Sequence, residues 1–313
     1  MKFIFLMDPL ETVIFEKDTS FMLMIGAHRR KHEVYFVPDG NISLQEGRVV
    51  FSTVKVRPQL KKTKPFIKGA QMLLTDKDID AVFVRNDPPF DPQYLMNTWL
   101  LDRLPSHIPV INSPQGIRTV NEKVWAAQFT SLIPRTLVSR QRAEMIKFIE
   151  KEKDVIAKPT DAFGGQMVFR VQKGDSNINV ILEALTQRGT KEIILQQYIP
   201  AAAKGDKRIL LLNGEPLGAV LRVHDKGEHR NNFFAGGKPV ATKITPRDRE
   251  IIEALRPHLL KLGLYFVGID VIGDYLIEVN VTSPTCLQEM NRLYKKQLEN
   301  EVINFVENLV KQR

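Results

Sequence analysis

The chain has 313 residues, of which 43% are hydrophobic and 26% are charged, and its formal net charge is +9. This length allows two or three domains with sizeable cores. The single cysteine, Cys286, excludes an intramolecular disulfide and fits a reducing compartment. The basic residues are spread thinly, so the positive charge suits small phosphate-bearing substrates at least as well as nucleic acid.

The N-terminal segment MKFIFLMDP has too short an apolar run to be a signal peptide. No window of the sequence is apolar enough to predict a transmembrane helix. We therefore expect a cytoplasmic protein. Its expected partners are small molecules, without a membrane or nucleic acid. We also expect it to form a homo-oligomer.

Strands and helices alternate over residues 1 to 118, which predicts a parallel, doubly wound sheet of the Rossmann-like kind. Asp18 or Thr19 is predicted to cap the first helix, and Thr75 with Asp76 a later short one. Neither a G-x-G-x-x-G nor a G-x-x-x-x-G-K-[ST] motif is present anywhere, so a nicotinamide fingerprint and a P-loop are both disfavoured.

The remaining chain is predicted to form two further domains. Residues 119 to 199 suggest a small α+β unit with antiparallel strands, beginning with a helix over residues 121 to 129. Residues 200 to 313 contain two predicted hairpins, the first turning at Asn213-Gly214, and end in an amphipathic helix. The segment 225 to 239 is long, polar and rich in glycine, as a mobile lid or a plain surface loop would be.

The second hairpin, FVGIDVIGDYLIEVNVTSP, carries three oxygen-bearing side chains in otherwise apolar strands: Asp270, Glu278 and Asn280. Because side chains alternate along a strand, Glu278 and Asn280 share a face. A plain two-residue loop would put Asp270 on the other face, whereas a bulge or a three-residue loop would bring all three together. Together they would suit Mg²⁺, or Mn²⁺ in its place, and apart they would be polar residues of an edge strand.

Several basic residues stand where an anionic substrate could meet them. Lys158 ends a strand immediately before a turn that contains Gly164 and Gly165, whose amides can approach a phosphate closely. Lys123 lies at the start of a predicted helix, where a solvated lysine is the alternative. Arginines lie on strands near the glycine-rich segment or within it, and one ends a strand of the first domain: Arg208, Arg222, Arg230 and Arg85.

Motifs along nearly the whole chain resemble the ATP-grasp superfamily, and within it the bacterial glutathione synthetase family. The motifs are RNDPPFD (85–91), NEK (121–123), KPTDAFGG (158–165), QQYIP (196–200), GDKRILLLNGEP (205–216), RNNFFAGG (230–237) and VGIDVIGDYLIEVNVTSPTC (267–286). One departure is Ala162, which stands where the family usually has glycine.

The resemblance implies a pre-ATP-grasp domain followed by a two-part ATP-grasp fold. It also implies an enzyme that uses ATP and Mg²⁺ to join γ-glutamylcysteine and glycine through an acyl phosphate. The alternatives are a ligase of the same fold with another amino-acid acceptor, or a non-catalytic nucleotide-binding protein of basic charge.

The roles implied by the resemblance fall into four groups. The metal ligands are Asp270, Glu278 and Asn280. The nucleotide contacts are Lys123, Lys158, Gly164, Gly165, Gln196, Gln197, Tyr198, Ile199 and Lys207. The residues for transferred charge and lid closure are Arg208, Arg222, Arg230 and Asn232. The contacts to the peptide substrate are Arg85, Ser283 and Thr285.

Overall fold

In a computed structural model, residues 1–223 and 237–312 of the chain are described, and they form three β-sheets. Arg230 and Asn232, predicted above to act in the lid, lie outside the described residues, as does most of the predicted loop 225 to 239. The described helices include none that is long and apolar enough to cross a membrane.

The first described sheet has strand order β3-β4-β2-β1-β6-β7, with β5 also pairing with β4. Its strands are β1 (Lys2–Leu6), β2 (Glu33–Val37), β3 (Ile42–Gln45), β4 (Arg48–Pro58), β5 (Phe66–Thr75), β6 (Ala81–Val84) and β7 (Val110–Ile111). The pairs within β2-β1-β6-β7 are parallel, as predicted, whereas β3, β4 and β5 add antiparallel pairs, so the sheet is mixed.

Helices cover both faces of this sheet. The side chains of β1 alternate between the two faces, and each face belongs to an apolar core that it shares with helices. Phe3 and Phe5 belong to a core with α1 (Thr19–Arg29) and with α8 (Leu298–Lys311), which comes from the far end of the chain. Ile4 and Leu6 belong to the other core, with α2 (Pro92–Leu101) and α3 (Pro114–Thr119). The Asp18 carboxylate accepts a hydrogen bond from the Phe21 N–H and caps α1, as predicted.

The helix predicted after Thr75 and Asp76 is wrong. Strand β5 runs up to Thr75, and the Asp78 carboxylate then closes a turn by accepting hydrogen bonds from the Thr75 N–H and hydroxyl, both at 2.9 Å. Most of β5 is exposed, Met72 and Leu73 included, so it lacks the alternation of buried apolar and exposed polar residues that marks a strand. Its pairing with β4, rather than burial, holds it in the sheet.

The second sheet is antiparallel throughout, with order β10-β9-β11-β8. Its elements are β8 (Thr136–Ser139), α4 (Arg142–Glu152), β9 (Asp154–Pro159), β10 (Phe169–Gln172), α5 (Ile178–Leu185) and β11 (Ile193–Gln197). Helices α4 and α5 pack on it and close a small separate core. The helix predicted over residues 121 to 129 is wrong, because only a 3-10 turn, Trp125–Gln128, forms there.

The third sheet has order β14-β13-β12-β15-β16, and every pair in it is antiparallel. Its strands are β12 (Asp206–Leu212), β13 (Glu215–Val223), β14 (Lys238–Ala241), β15 (Phe266–Ile272) and β16 (Tyr275–Asn280), accompanied by helices α6 (Pro246–Lys261) and α7 (Leu287–Tyr294). One face shares an apolar core with the first sheet, so these two parts of the chain pack together. The predicted segments 1–118, 119–199 and 200–313 each hold one sheet.

Candidate active site

The hairpin of β15 and β16 brings its three polar side chains to one face. Its loop has two residues, because Ile272 pairs with Tyr275 and Val271 with Leu276. A bulge then leaves Ile277 without a partner, so Asp270 pairs directly with Glu278. Asn280 lies two residues further along the same face. The sequence allowed this arrangement only with a longer loop or a bulge, and the bulge provides it.

Charged side chains of alternating sign cross the third sheet from strand to strand. Asp206 on β12 lies opposite Arg222 on β13, and Arg208 lies opposite Asp270 on β15. Arg208 donates to both Asp270 oxygens, with its Nη2 at 2.8 Å from Oδ2, and the Arg222 Nη2 lies 3.0 Å from the same oxygen. Arg222 also forms a two-point ion pair with Asp206. We call Asp206, Arg208, Arg222, Asp270 and Glu278 the charged row.

The charged row is buried at its centre, and this decides its protonation. Arg208, Arg222 and Asp270 are each at most 6% exposed. Burial would raise the pKa of Asp270, but the attraction of Arg208 and Arg222 outweighs it and leaves that pKa well below the ordinary value. The carboxylate is therefore an anion at neutral pH, and it aligns two guanidinium groups whose remaining donors can meet a reacting phosphoryl group.

Neighbouring backbone leaves room for this arrangement. A Cβ on Gly268 would lie 3.0 Å from the Pro284 Cβ and 3.2 Å from the Arg208 Cδ, so a side chain there would press on the arginine.

Asn112, directly after β7 of the first sheet, anchors the hairpin. Its buried side chain accepts a hydrogen bond from the Phe266 N–H at 2.8 Å and donates to the Phe266 carbonyl at 2.8 Å and the Val281 carbonyl at 2.7 Å. These bonds fix the hairpin against the N-terminal part of the chain.

Lys158 reaches the charged row from the second sheet, where it lies on β9. Its Nζ is 3.6 Å from Oε1 of Glu278, and the lysine side chain is 5% exposed. Burial lowers the pKa of Lys158, partly offset by Glu278, while Lys123 nearby lowers it further. An anionic ligand beside both ammonium groups would remove part of this cost.

The turn after Lys158 forms one wall of the site. Gly164 and Gly165 adopt φ of +63° and +73°, which glycine tolerates without strain. Lys123 donates to the Ala162 carbonyl and so ties the turn to the first residues of the same segment, 119–199. Ala162 itself has no positive φ, so the alanine at this position fits the backbone that the turn needs.

Glu122 holds the segment that follows the hairpin. Its Oε1 accepts hydrogen bonds from the Val281 N–H at 2.8 Å, the Thr282 N–H at 3.0 Å and the Thr282 hydroxyl at 2.8 Å. Its backbone carbonyl accepts from the Val279 N–H at 2.9 Å. Glu122 thus fixes the backbone on both sides of Asn280, although nothing in its sequence context distinguishes it beyond its place between Asn121 and Lys123.

A cleft of about 250 Å³ gathers most of the predicted site residues between the second and third sheets. The predicted residues that line it are Lys123, Lys158, Gly164, Gly165, Gln196, Gln197, Tyr198, Ile199, Arg208, Arg222, Asp270, Glu278, Asn280, Ser283 and Thr285. Asp87, Glu122 and Asp206 line it too and were missed. Asp206 could have been found, because it lies two residues before Arg208 and so on the same strand face.

Backbone groups near Gln197 limit how an adenine could be recognised. The N–H groups of Gln197 and Tyr198 already donate to the Arg135 and Asp154 carbonyls, at 2.8 and 3.0 Å. Pro200 has no N–H, which leaves the Ile199 N–H as the donor of this segment without a partner in the described part of the chain. The pattern of side chains alone could not show which backbone groups were already engaged.

Two predicted residues lie outside this cleft. Lys207 points to the opposite face from Arg208, as alternation requires, and its Nζ is 2.6 Å from the Asp248 carboxylate at the start of α6. Arg85 donates instead to the Ser20 hydroxyl at 2.9 Å and the Pro284 carbonyl at 3.0 Å. The structure therefore brings neither the Lys207 ammonium nor the Arg85 guanidinium to the charged row.

The donor set on the hairpin fits Mg²⁺ with a phosphate-bearing ligand. Within residues 1–223 and 237–312, no three His, Cys, Asp or Glu side chains are placed to hold a metal ion by themselves. Mg²⁺ commonly takes one or two protein carboxylates and completes its octahedron with phosphates and waters. The Asn280 amide donates to the Gly268 carbonyl at 3.2 Å, which leaves its oxygen for a cation beside Asp270 and Glu278.

Comparison with protein families supports the resemblance noted in the sequence. Residues 1–118 match the N-terminal domain of prokaryotic glutathione synthetase, and residues 122–295 match the ATP-grasp domain of prokaryotic glutathione synthetase. The glutathione synthetase of Synechococcus elongatus is 41% identical and covers 100% of both chains. That of Escherichia coli K12 is 37% identical and covers 98% of both.

Solved structures agree on the fold at much lower sequence identity. The D-cycloserine synthetase DcsG has a TM-score of 0.66 at 13% identity and covers 98% of this chain and 99% of its own. The ATP-grasp ligase PsnB, solved with a minimal precursor, has a TM-score of 0.65 at 14% identity and covers 98% of each chain. The predicted fold is thereby confirmed, and the chain belongs to the prokaryotic glutathione synthetase family of ATP-grasp ligases.

Proposed function

We propose that this chain joins γ-glutamylcysteine to glycine at the cleft beside the charged row, with conversion of ATP to ADP and phosphate. The cysteine carboxylate of the dipeptide attacks the γ-phosphorus of ATP, and ADP leaves. The glycine amine then attacks the acyl carbon, the C–O bond to phosphate breaks, and the amine loses a proton. The observation that carries this proposal is the row of paired charges ending beside Lys158.

Arg208 and Arg222 stabilise the negative charge that develops during phosphoryl transfer. Each guanidinium is held by a carboxylate, Asp270 or Asp206, so it pays little reorganisation free energy when the charge appears. Burial strengthens this attraction, because the surrounding dielectric is low. The two arginines also offset the repulsion between the carboxylates of Asp206 and Asp270, which would be costly in a buried cluster without them.

Nucleotide binding is assigned to the wall opposite the charged row. Lys123 and Lys158 meet the phosphates with point charges, and Gly164 and Gly165 permit close backbone approach. The adenine lies along residues 196 to 199, where the Ile199 N–H can donate to a ring nitrogen. Lys207 has no part in this arrangement while Asp248 holds it.

Asp270, Glu278 and Asn280 would hold Mg²⁺. When bound, Mg²⁺ would supply neutralisation of the negative charge on the ATP phosphates and would help to orient the transferred group. Ser283 and Thr285 follow directly on this set and face the same cleft, where hydroxyls can orient the dipeptide. Arg230 and Asn232 are proposed to complete the substrate contacts from the glycine-rich segment, which would exclude water from the acyl phosphate.

The proposal is tested by release of inorganic phosphate from ATP. Release should require γ-glutamylcysteine, glycine and Mg²⁺ together, and omission of glycine with hydroxylamine added should trap the acyl phosphate as a hydroxamate. No release above background with all components would contradict the proposal. Release with another amino acid but not with glycine would assign a different ATP-grasp ligase activity.

We propose a cytoplasmic protein that assembles as a homo-oligomer and acts on small molecules without nucleic acid or membrane. Three domains, 1–118, 119–199 and 200–313, are proposed because each segment holds one sheet. Helix α8 of the third segment packs on α1 of the first.

A further inference from the structure

A second cavity of about 370 Å³ lies behind the segment that carries Ser283 and Thr285. Three parts of the chain line it: the loop that leads into α1, the end of β6 and the start of α7. Asp87 and Thr285 line both this cavity and the catalytic cleft, so the two spaces adjoin. A ligand that reacts in the cleft can therefore extend into the second cavity.

The second cavity carries more acid than base. Its lining includes four carboxylates, Asp8, Asp18, Asp87 and Glu289, but only two cationic side chains, Lys17 and Arg85. The Arg85 guanidinium is already engaged by the Ser20 hydroxyl and the Pro284 carbonyl. With four carboxylates against two cations, the formal charge of the lining is negative, and the ammonium group of Lys17 is exposed at its edge.

Glu289 is the clearest sign that a ligand belongs there. Its side chain is 3% exposed, and its Oε2 has no hydrogen-bond partner among the described residues. Its Oε1 lies 3.6 Å from the Arg292 Nη2, beyond hydrogen-bond distance. Burial raises the pKa of Glu289, and burial likewise raises that of Asp18. A buried carboxylate oxygen without a donor is costly, and an ammonium group bound at Oε2 would reduce that cost.

The dipeptide substrate of the proposed function carries such a group at the correct end. Its cysteine carboxylate reacts in the cleft, while the far end of the γ-glutamyl residue bears both an α-ammonium and an α-carboxylate. We propose that the second cavity binds this α-amino-acid end, with the ammonium against Glu289 and Asp87 and the carboxylate toward Lys17. The inference rests on the proposed function, and it assigns the selection of a γ-linked, zwitterionic dipeptide to this cavity.

Glycine is also a zwitterion, but it fits this cavity poorly as a substrate. Its amine must lose a proton and attack the acyl carbon in the cleft, whereas carboxylates would hold it protonated and away from that carbon. The two assignments differ in which Michaelis constant responds to a change in the cavity, which makes them separable by kinetics.

The test compares the dipeptide with two analogues in steady-state kinetics. Glutarylcysteine lacks the α-ammonium, and 4-aminobutyrylcysteine lacks the α-carboxylate. Glu289→Gln should raise KM about tenfold for the dipeptide and for 4-aminobutyrylcysteine, and leave KM for glutarylcysteine, glycine and ATP within about twofold, because one charge-assisted contact is worth roughly 1.5 kcal/mol. Lys17→Met should raise KM for the dipeptide and glutarylcysteine, and spare 4-aminobutyrylcysteine.

Glu152→Gln is the matched control, since Glu152 is also a buried carboxylate with one unpartnered oxygen but lies on α4, away from the cavity. It should change no Michaelis constant. The proposal would be overturned if Glu289→Gln and Lys17→Met each raised KM equally for all three acyl substrates. A rise in KM confined to glycine would also overturn it and would assign the cavity to glycine. Lys17 is exposed, so its variant keeps the test open if Glu289→Gln does not fold. A wild-type protein inactive on the dipeptide would instead contradict the proposed function.

Discussion

Asp270 lies directly opposite Glu278 in the hairpin of β15 and β16, even though only two residues join the strands. The bulge at Ile277 shifts the register by one residue and turns both carboxylates to the same face. Across the sheet, Arg208 lies opposite Asp270 in turn. A single additional residue in one strand therefore aligns the proposed metal ligands with the proposed catalytic arginines.

Replacing Asp270 with asparagine should abolish most turnover and weaken the fold. The change removes a metal ligand and leaves Arg208 buried without its carboxylate, so we expect kcat to fall at least about 100-fold. Breaking a buried ion pair from one side should cost about 3 kcal/mol or more of unfolding free energy. Phosphate release and urea unfolding measure the two effects.

The control is Asp274→Asn in the exposed hairpin loop, which should change neither quantity. Full activity of the Asp270 variant at saturating Mg²⁺ would rule out a role for this carboxylate in the reaction.

Replacing Lys158 with methionine should separate activity from stability. The variant loses the ammonium that faces the nucleotide phosphates, so KM for ATP should rise tenfold or more. Its unfolding free energy should stay the same or increase, because an apolar side chain avoids the cost of burying the ammonium group, while Glu278 is partly exposed and water can solvate it. Lys191→Met is the control, since Lys191 pairs with Asp161 at 3.1 Å at the exposed rim of the same turn. An unchanged KM for ATP would remove Lys158 from the nucleotide site.

Glu122 should behave as a positioning residue for the metal ligands. Glu122→Ala removes the acceptor of three hydrogen bonds around residues 281 and 282, so the Mg²⁺ concentration for half-maximal activity should rise about tenfold or more. Glu122→Gln keeps an oxygen in place and should restore most of the affinity. The measurement is a Mg²⁺ titration of the initial rate at saturating substrates, and equal defects in both variants would argue for a role of the carboxylate charge instead.

Glu307 should give the protein an acid-sensitive contribution to stability. Hydrogen bonds from Arg30, opposed by partial burial and reinforced by His32, lower the pKa of Glu307 to about 2. Because the folded pKa is depressed, the contribution is fully present above the unfolded value of about 4.5 and is lost as the pH falls toward 2. Glu307→Gln should therefore cost about 1 to 3 kcal/mol at pH 7 and progressively less below pH 4.5.

Urea unfolding of both proteins at pH 7, 4 and 3 measures this difference. Glu301→Gln on the exposed side of the same helix is the control and should show no such trend. A difference that stays constant from pH 7 to 3 would contradict the assignment.

Local patterns were enough to predict most of the elements and much of the site. The apolar runs, the Asp18 cap and the Asn213-Gly214 turn each depend on neighbours in sequence, and each is confirmed. Strand alternation alone placed Glu278 and Asn280 together. The same rule would have separated Lys207 from Arg208 and added Asp206, had it been applied to β12.

The remaining features depend on contacts that are distant in sequence. Arg85 directly follows the end of β6, as predicted, yet the Pro284 carbonyl, 199 residues away, engages its guanidinium. Strand β5 is held by pairing with β4 rather than by its own apolar pattern. The bulge at Ile277 has no glycine or proline to mark it, so residue type alone could not decide the parity of Asp270.

Crystals grown with a non-hydrolysable ATP analogue and Mn²⁺ would show whether the hairpin of β15 and β16 holds the catalytic metal. The anomalous signal of Mn²⁺ should lie within coordination distance of oxygens of Asp270, Glu278 and Asn280, beside the phosphates of the nucleotide. A metal ion bound to the nucleotide but away from all three residues would contradict the account.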